Sequence, residues 1–324
     1  MSHTRLSASR PGYRLHPSMR MDAAMRRELD HLRWALIKVE PGARRGEAWE
    51  LHRFRVVVRW ARSLLSDLAD ALPDVGVEVL ASELRWLGRL TSPSRDLDVQ
   101  IRALHQAAGS FSAPEQKALG PVLAILEGRR GDEASKVRRG FESKRFGCLL
   151  DRWQALAEGT ERAPSGTLGA RHVGTQARLC LGKALKRVRK RGERALKDEN
   201  ASSVHRFRIA GKRWRYLVQS FGPLYSTREI ELLMRDLKRL QETLGDYHDA
   251  VCHIRLLRPL ATRLEGADST TFVALGRLVE QAVSARQAAL TTARPLFRSL
   301  TDEGPRVHPE RLALASPPNH SVAG

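Results

Sequence analysis

His205, Arg208, Lys212 and Arg215 recur at i, i+3, i+7 and i+10 of one stretch. At 100° per residue these positions share a wedge of roughly 80° on one side of a helix. Phe207, Trp214, Leu217 and Val218 fall on the opposite side. The same pattern, His52, Arg55, Arg59 and Arg62, stands 153 residues earlier. Lysine acts as a point charge, and arginine as a planar fork that matches two phosphate oxygens. Donors strung along one helix face suit a row of phosphates and suit a single small metabolite poorly. The plainer alternative is that these side chains only pair with acids on neighbouring helices. Asp96 and Asp249 could then neutralise only a fraction of the ladder.

The register of the repeat continues without a gap. Leu84 matches Leu237, Arg85 matches Lys238, Leu87 matches Leu240 and Asp96 matches Asp249, so the chain reads as an internal duplication. From Arg178 to Arg215 there are fourteen Lys and Arg, among them Lys183, Lys186, Arg187, Lys190 and Arg213, against only Glu193, Asp198 and Glu199. A solvated face normally mixes both signs, so charge this one-sided implies a binding surface. The whole chain of 324 residues carries 56 Lys and Arg against 36 Asp and Glu, a net charge of +20. Such a field attracts polyanions over about a Debye length.

The chemistry that remains is thin. Asp96 and Asp249 are read as following turns at equivalent helix starts, where the macrodipole favours a carboxylate, and so as structural acids that cap a helix or hold an arginine. His248, beside Asp249, has no counterpart at Arg95. His248 and His253 are spaced i and i+5 and share a helix face badly, so no metal ligand set is expected. Walker A, G-x-G-x-x-G, H-E-x-x-H and G-x-S-x-G motifs are absent, and Glu229-Ile230-Glu231 lacks the following lysine of a triphosphate-tunnel enzyme. No catalytic residue and no cofactor are expected. Cys148, Cys180 and Cys252 are too few and too scattered for a disulfide framework or a zinc knuckle. The absence of a signal-like apolar start or a long uncharged run points to a cytoplasmic chain with no membrane segment. Nucleic acid is the competing partner. The aromatics at 54, 207 and 214 project to the apolar side of their helices, however, and offer bases few stacking platforms.

These cations need long amphipathic helices to position them, and no stretch shows the period-two alternation of a strand. The expected organisation is a loose tail over 1–17, a first helical half over 18–158, a linker rich in Gly, Pro and Ser over 159–169, a second helical half over 170–300 and a tail over 301–324. Within it, Ser18 caps a helix that Pro41-Gly42 breaks, and the first basic helix runs from Glu47 to about Ala71 before Leu72-Pro73. The turn Thr91-Ser92-Pro93-Ser94 separates two further helices. Pro114 begins a helix to about Leu126, and one long helix spans Glu133 to Leu156. A helix from about Thr175 to Lys197 opens the second half, Ser202 or Ser203 caps the principal basic helix, and Gly222-Pro223 ends it. A helix through Leu232 and Leu244, one from Tyr247 past Leu264, and a last one from Thr271 to Leu300 follow.

Taken together, His52-x-x-Arg55 and His205-x-x-Arg208 with their following cations, the run Arg95-Asp96-Leu97-Asp98-Val99, and the run from Leu240 to Ala250 resemble the CHAD family, the conserved histidine α-helical domain, over roughly residues 18–300. The second copy follows the family pattern closely. The first departs at Trp60, where a second arginine is usual, and is expected to be the weaker half. The resemblance implies an all-α fold of two four-helix-bundle-like halves related by a pseudo-twofold axis. It also implies inorganic polyphosphate bound in a basic groove between them, often on polyphosphate granules. RNA or ribosome binding is the alternative, and a phosphohydrolase or phosphohistidine relay at His52 or His205 a further one.

Overall fold

The computed structural model describes residues 14–72, 76–261 and 268–301. Among these the regular structure is helical, apart from an isolated bridge between Arg20 and His172. Ten helices follow one another: α1 (Met21–Arg44), α2 (Ala48–Leu68), α3 (Gly76–Ala108), α4 (Ala113–Ala118), α5 (Gly120–Phe141), α6 (Lys144–Glu158), α7 (Val173–Asp198), α8 (Ala201–Phe221), α9 (Thr227–Ala261) and α10 (Ser269–Thr301). Residues 1–13 and 302–324, expected as tails, lie outside the described residues, as do Pro73 and Leu264.

Apolar periodicity explains the two basic helices. In α2, Phe54, Val57, Ala61, Leu64, Leu65 and Leu68 form a buried stripe, and in α8 Val204, Phe207, Trp214, Leu217 and Val218 do the same. Each such side chain contributes about 1.5–3 kcal/mol when fully buried. That drive holds helices whose other face is crowded with like charge. The α8 start is fixed by Asn200, not Ser202 or Ser203, since its side-chain oxygen accepts from the Ser203 amide at 2.9 Å. Asn at this position satisfies a helix-terminal N–H that has no partner within the helix.

The first bundle packs α1 on α2 and α6, α2 on α3, and α3 on α5 and α6. The second packs α7 on α8, α8 on α9, α9 on α10 and α10 on α7. Contacts of α2 with α8 and of α3 with α9 join them. One hydrophobic core runs through both bundles, from Met25 and Leu64 to Phe207 and Leu290. A smaller cluster sets Leu104, Val122 and Leu126 against Leu257, Leu275 and Leu278.

Contacts at the α2–α8 crossing come in exchanged positions. Trp60 Nε1 donates to Ser220 Oγ at 2.8 Å, and Arg213 lies 3.7 Å from Asp67 Oδ1. Trp60 and Arg213 are 153 residues apart, and so are Asp67 and Ser220. A contact in which i meets j while j meets i is the kind that a twofold arrangement imposes.

Several expected boundaries are corrected. Pro41 lies inside α1 and Pro93 inside α3. A proline removes one helical hydrogen bond, and here buried leucines on either side, Leu84 and Leu87 before Pro93 and Leu104 after it, keep the helix continuous. The hydroxyls of Thr91 and Ser92 donate back to the carbonyls of Leu87 and Gly88, at 2.8 and 2.6 Å, a habit that bends helices without ending them. Tyr247 begins no new helix, because α9 is continuous from Thr227 to Ala261. The single helix expected over 133–156 is divided at Ser143, whose hydroxyl accepts from the Phe146 amide and caps α6. The stretch 159–169 has no helix but is tied down: the Ala163 amide donates to Asp22 Oδ2 at 2.8 Å, and Arg20 Nη2 donates to the Ala163 carbonyl at 2.8 Å.

Candidate functional site

Where α2 faces α3, the polar segment around Pro93 becomes a dock for Arg55. Its Nη1 donates to Ser92 Oγ at 2.8 Å, Thr91 Oγ1 at 3.2 Å and the Gly88 carbonyl at 3.3 Å. Burial first, and then Arg59, push the Arg55 guanidinium down to about 10. Beside it lies a pocket of about 200 Å³ lined by Arg55, Arg59, Arg62, Arg85, Arg89 and Gly88. A Cβ at Gly88 would stand 2.9 Å from Arg62 Nη1, so the bare backbone makes room for that guanidinium. The Arg62 guanidinium is lowered by burial, then by Arg85, Arg89, Arg213 and Arg59.

Across the α2–α8 contact the second stripe meets the first. Burial and then Arg59, Arg208 and Arg215 hold the Lys212 ammonium well below its ordinary value. Arg208 is lowered by burial, with Asp249 opposing and Arg59 reinforcing the effect. Arg59 of α2 therefore lies within electrostatic reach of both Arg208 and Lys212 of α8. The Nε atoms of Arg59, Arg208 and Arg215 are buried without a hydrogen-bond partner, an arrangement that costs free energy.

Asp96 and Asp249 lie within α3 and α9, not at helix starts, so neither caps a helix. Their surroundings are cationic: Arg55, Arg59, Arg95 and Arg208 around Asp96, and Arg208, Lys212 and Arg95 around Asp249. Neither carboxylate makes a direct hydrogen bond or ion pair among the described residues. Desolvation outweighs these cations and raises both carboxyl groups above the usual range, Asp96 even though part of its surface stays in solvent.

The histidines gather at the α8–α9 side. The rings of His205 and His248 are 5.3 Å apart, and Cys252 Sγ lies 3.7 Å from His248 Nε2. Partial desolvation, then Arg208 and Lys212, lower the His205 imidazolium. Desolvation, then Arg208 and His205, push His248 down to about 4. His253 points elsewhere and pairs with Gln100 Oε1 through Nδ1 at 2.7 Å. His52 stacks on Trp49, with centroids 5.9 Å apart.

Comparison with known proteins gives the family of the fold. Residues 23–258 match the CHAD domain. The chain belongs to the CHAD family. It is similar to the crystal structure of the CHAD domain from the plant Ricinus communis, with a TM-score of 0.73 at 24% identity over 89% of this chain and 95% of that one. It is also similar to PptA from Streptomyces chartreusis, with a TM-score of 0.68 at 16% identity over 86% of this chain and 98% of that one. Two uncharacterized proteins of Mycobacterium tuberculosis are 27% identical over 241 residues, which is 70% of this chain and 44% of theirs. The chain thus spans less than half the length of the curated relatives it matches.

Within the CHAD fold the residues singled out in the sequence separate into groups. Arg55, Arg59, Arg62, Arg85, Arg208, Lys212 and Arg215 converge near the meeting of α2, α3 and α8, with His205 at one end. Arg213 turns to the helix crossing, where it donates to Ser66 Oγ at 3.1 Å and faces Asp67. Arg187 pairs with the same Asp67 at 3.2 Å, and Lys238 lies 3.7 Å from Glu242. Lys183, Lys186 and Lys190 are exposed on α7, opposite its buried Leu185 and Val188. The departure at Trp60 takes no charge out of the pocket, because that side chain is buried against Tyr216, with rings 5.9 Å apart and 13° from parallel. The reason given for a weaker first half therefore fails. Sequence reading missed Arg89, Arg95 and Arg255. The signal was present, since Arg89 follows Arg85 by one helical turn and Arg255 stands 153 residues after Arg102.

Proposed function

We propose that this CHAD domain binds inorganic polyphosphate without cleaving it, in a basic groove shared by the two repeats. The observation that carries the reading is the excess of cations over the two carboxylates, Asp96 and Asp249, where the stripes meet. Arg55, Arg59, Arg62, Arg85 and Arg89 line one pocket, and burial first, then neighbouring cations, lower Arg62, Arg208 and Lys212 together. A protein that assembles cations at such cost is stabilised by an anion carrying many charges in a row. Polyphosphate supplies acceptors at every unit and asks nothing of aromatic rings. Phe54, Phe207 and Trp214, each at most 1% exposed, are sealed in the core, and the exposed Trp49 is stacked on His52, so bases find few free ring faces and RNA is the weaker reading. A protein with this property concentrates wherever the polymer does, including cytoplasmic polyphosphate granules.

The test is competition between polyphosphate and RNA of equal charge at physiological salt. Polyphosphate is expected to displace RNA, while RNA fails to displace polyphosphate. Equal displacement would mean that only charge is read. Incubation with polyphosphate and a divalent metal is expected to release no phosphate, and release abolished by His205→Asn or His248→Asn would replace the binding role by a histidine-dependent phosphohydrolase.

A further inference from the structure

The two repeats differ where the pocket lies. In the first, Gly88 and Arg89 help line an open cavity of about 200 Å³. The positions 153 residues later are Gln241 and Glu242. Gln241 is 5% exposed, and its amide nitrogen lies directly against Gly211, the counterpart of Val58. Glu242 reverses the charge of Arg89 and lies 3.7 Å from Lys238. One repeat therefore keeps five arginines around a hollow, while the other fills the corresponding place with an amide and sets one carboxylate beside Lys238.

The hollow is small. Its volume is on the order of seven waters' share of the liquid, room for about two or three phosphate groups, and below the roughly 300–1,000 Å³ typical of pockets for larger organic ligands. No carboxylate lines it. A phosphate inside a polyphosphate chain carries one negative charge and two free oxygens. A terminal phosphate has a third free oxygen and, with a second pKa of about 6, most of a second charge at neutral pH. Convergent guanidinium forks with no carboxylate in the pocket wall discriminate in favour of that group, since charge-assisted hydrogen bonds scale with charge and with the number of acceptors. Resting on the polyphosphate reading above, we infer that the pocket of Arg59, Arg62, Arg85 and Arg89 captures the end of a polyphosphate chain, whereas the α8 stripe contacts internal phosphates.

The experiment compares a long polyphosphate with the same polymer capped at both ends as methyl phosphoramidates, and adds tripolyphosphate as a probe that is nearly all end. Capping is expected to weaken binding about tenfold, the size of about one lost charge-assisted hydrogen bond. Gly88→Gln, which copies the filled repeat, and Arg89→Glu, which alters an exposed side chain, are each expected to weaken tripolyphosphate binding by a similar factor and to erase the difference between capped and uncapped chains. A melting curve establishes that each variant is folded. Equal wild-type binding of capped and uncapped chains overturns the end pocket and leaves the polyphosphate reading intact. Undiminished tripolyphosphate binding in a folded Arg89→Glu protein also overturns it. Failure to bind either long polymer at physiological salt overturns the polyphosphate reading itself.

Discussion

At the scale of single residues, burial first and the cationic stripe second shift the protons of the neighbouring histidines. His248 is pushed to about 4, and His205 is lowered in the same direction. A histidine depressed in the folded state binds its proton more readily when unfolded. Its contribution to stability is therefore complete above the unfolded value of about 6.5 and is lost as pH falls toward the folded value. Asp96, Asp246 and Asp249, raised by desolvation, act with the opposite sign at the acid end of that range. A bound polyanion offsets the share of this depression that comes from Arg208 and Lys212, so binding at about pH 5.5 is expected to draw protons from solution and to tighten between pH 7 and 5. Calorimetry in two buffers of different ionisation enthalpy measures that uptake, and His248→Gln is expected to shrink it. Zero uptake in the wild type would mean that the ligand sits away from His205 and His248. The stripe was legible in sequence because helical spacing fixes which side chains share a face. Its consequence for His248 was not, because His248 belongs to another helix, and only packing brings its ring to His205.

Elements show a different limit of sequence reading. The segment around Pro93 looks like a turn in sequence, yet it lies in the middle of α3, where back-bonded hydroxyls and a glycine give Arg55 three acceptors. Turn chemistry and a continuous helix can use the same residues, and burial on both sides decides between them. Trp60 likewise reads as a lost charge but acts as an anchor between α2 and α8, donating to Ser220, which in turn donates to Glu28 Oε1 at 2.6 Å. Truncation at this anchor removes a large buried ring, so Trp60→Ala is expected to cost about 3–5 kcal/mol. At the exchanged contact, Asp67 meets arginines whose side chains are 48% and 37% exposed, and solvent-screened pairs of this kind contribute about 0–1 kcal/mol. Asp67→Asn is therefore expected to shift the denaturation midpoint only slightly. Denaturant titrations of the two variants check the ranking; a larger loss for Asp67→Asn would assign the crossing to charge and not to packing.

Across the whole molecule, repeats with different pockets share one core and one electrostatic field. The all-helical fold could be read from apolar periodicity. The inequality of the repeats could not, since it depends on which side chain fills the space beside Gly88 or Gly211. A ladder of ten residues spans only about 15 Å along its helix, so a short anion is satisfied within one repeat. A long chain that touches both gains from effective concentration once its first contact is made. The two ligand lengths should consequently respond to different lesions. Replacing Arg208, Lys212 and Arg215 with Ala is expected to weaken long polyphosphate strongly, and by analogy with nucleic acids to flatten its salt slope by about two to three. Tripolyphosphate, held by the first repeat, should change little. Replacing Arg59, Arg62 and Arg85 should weaken both, tripolyphosphate most. Calorimetry on both ligands across a salt series, with helicity followed by circular dichroism, separates these outcomes. Equal losses for the two chain lengths in the α8 variant would place the short anion in the second repeat and refute the division of labour.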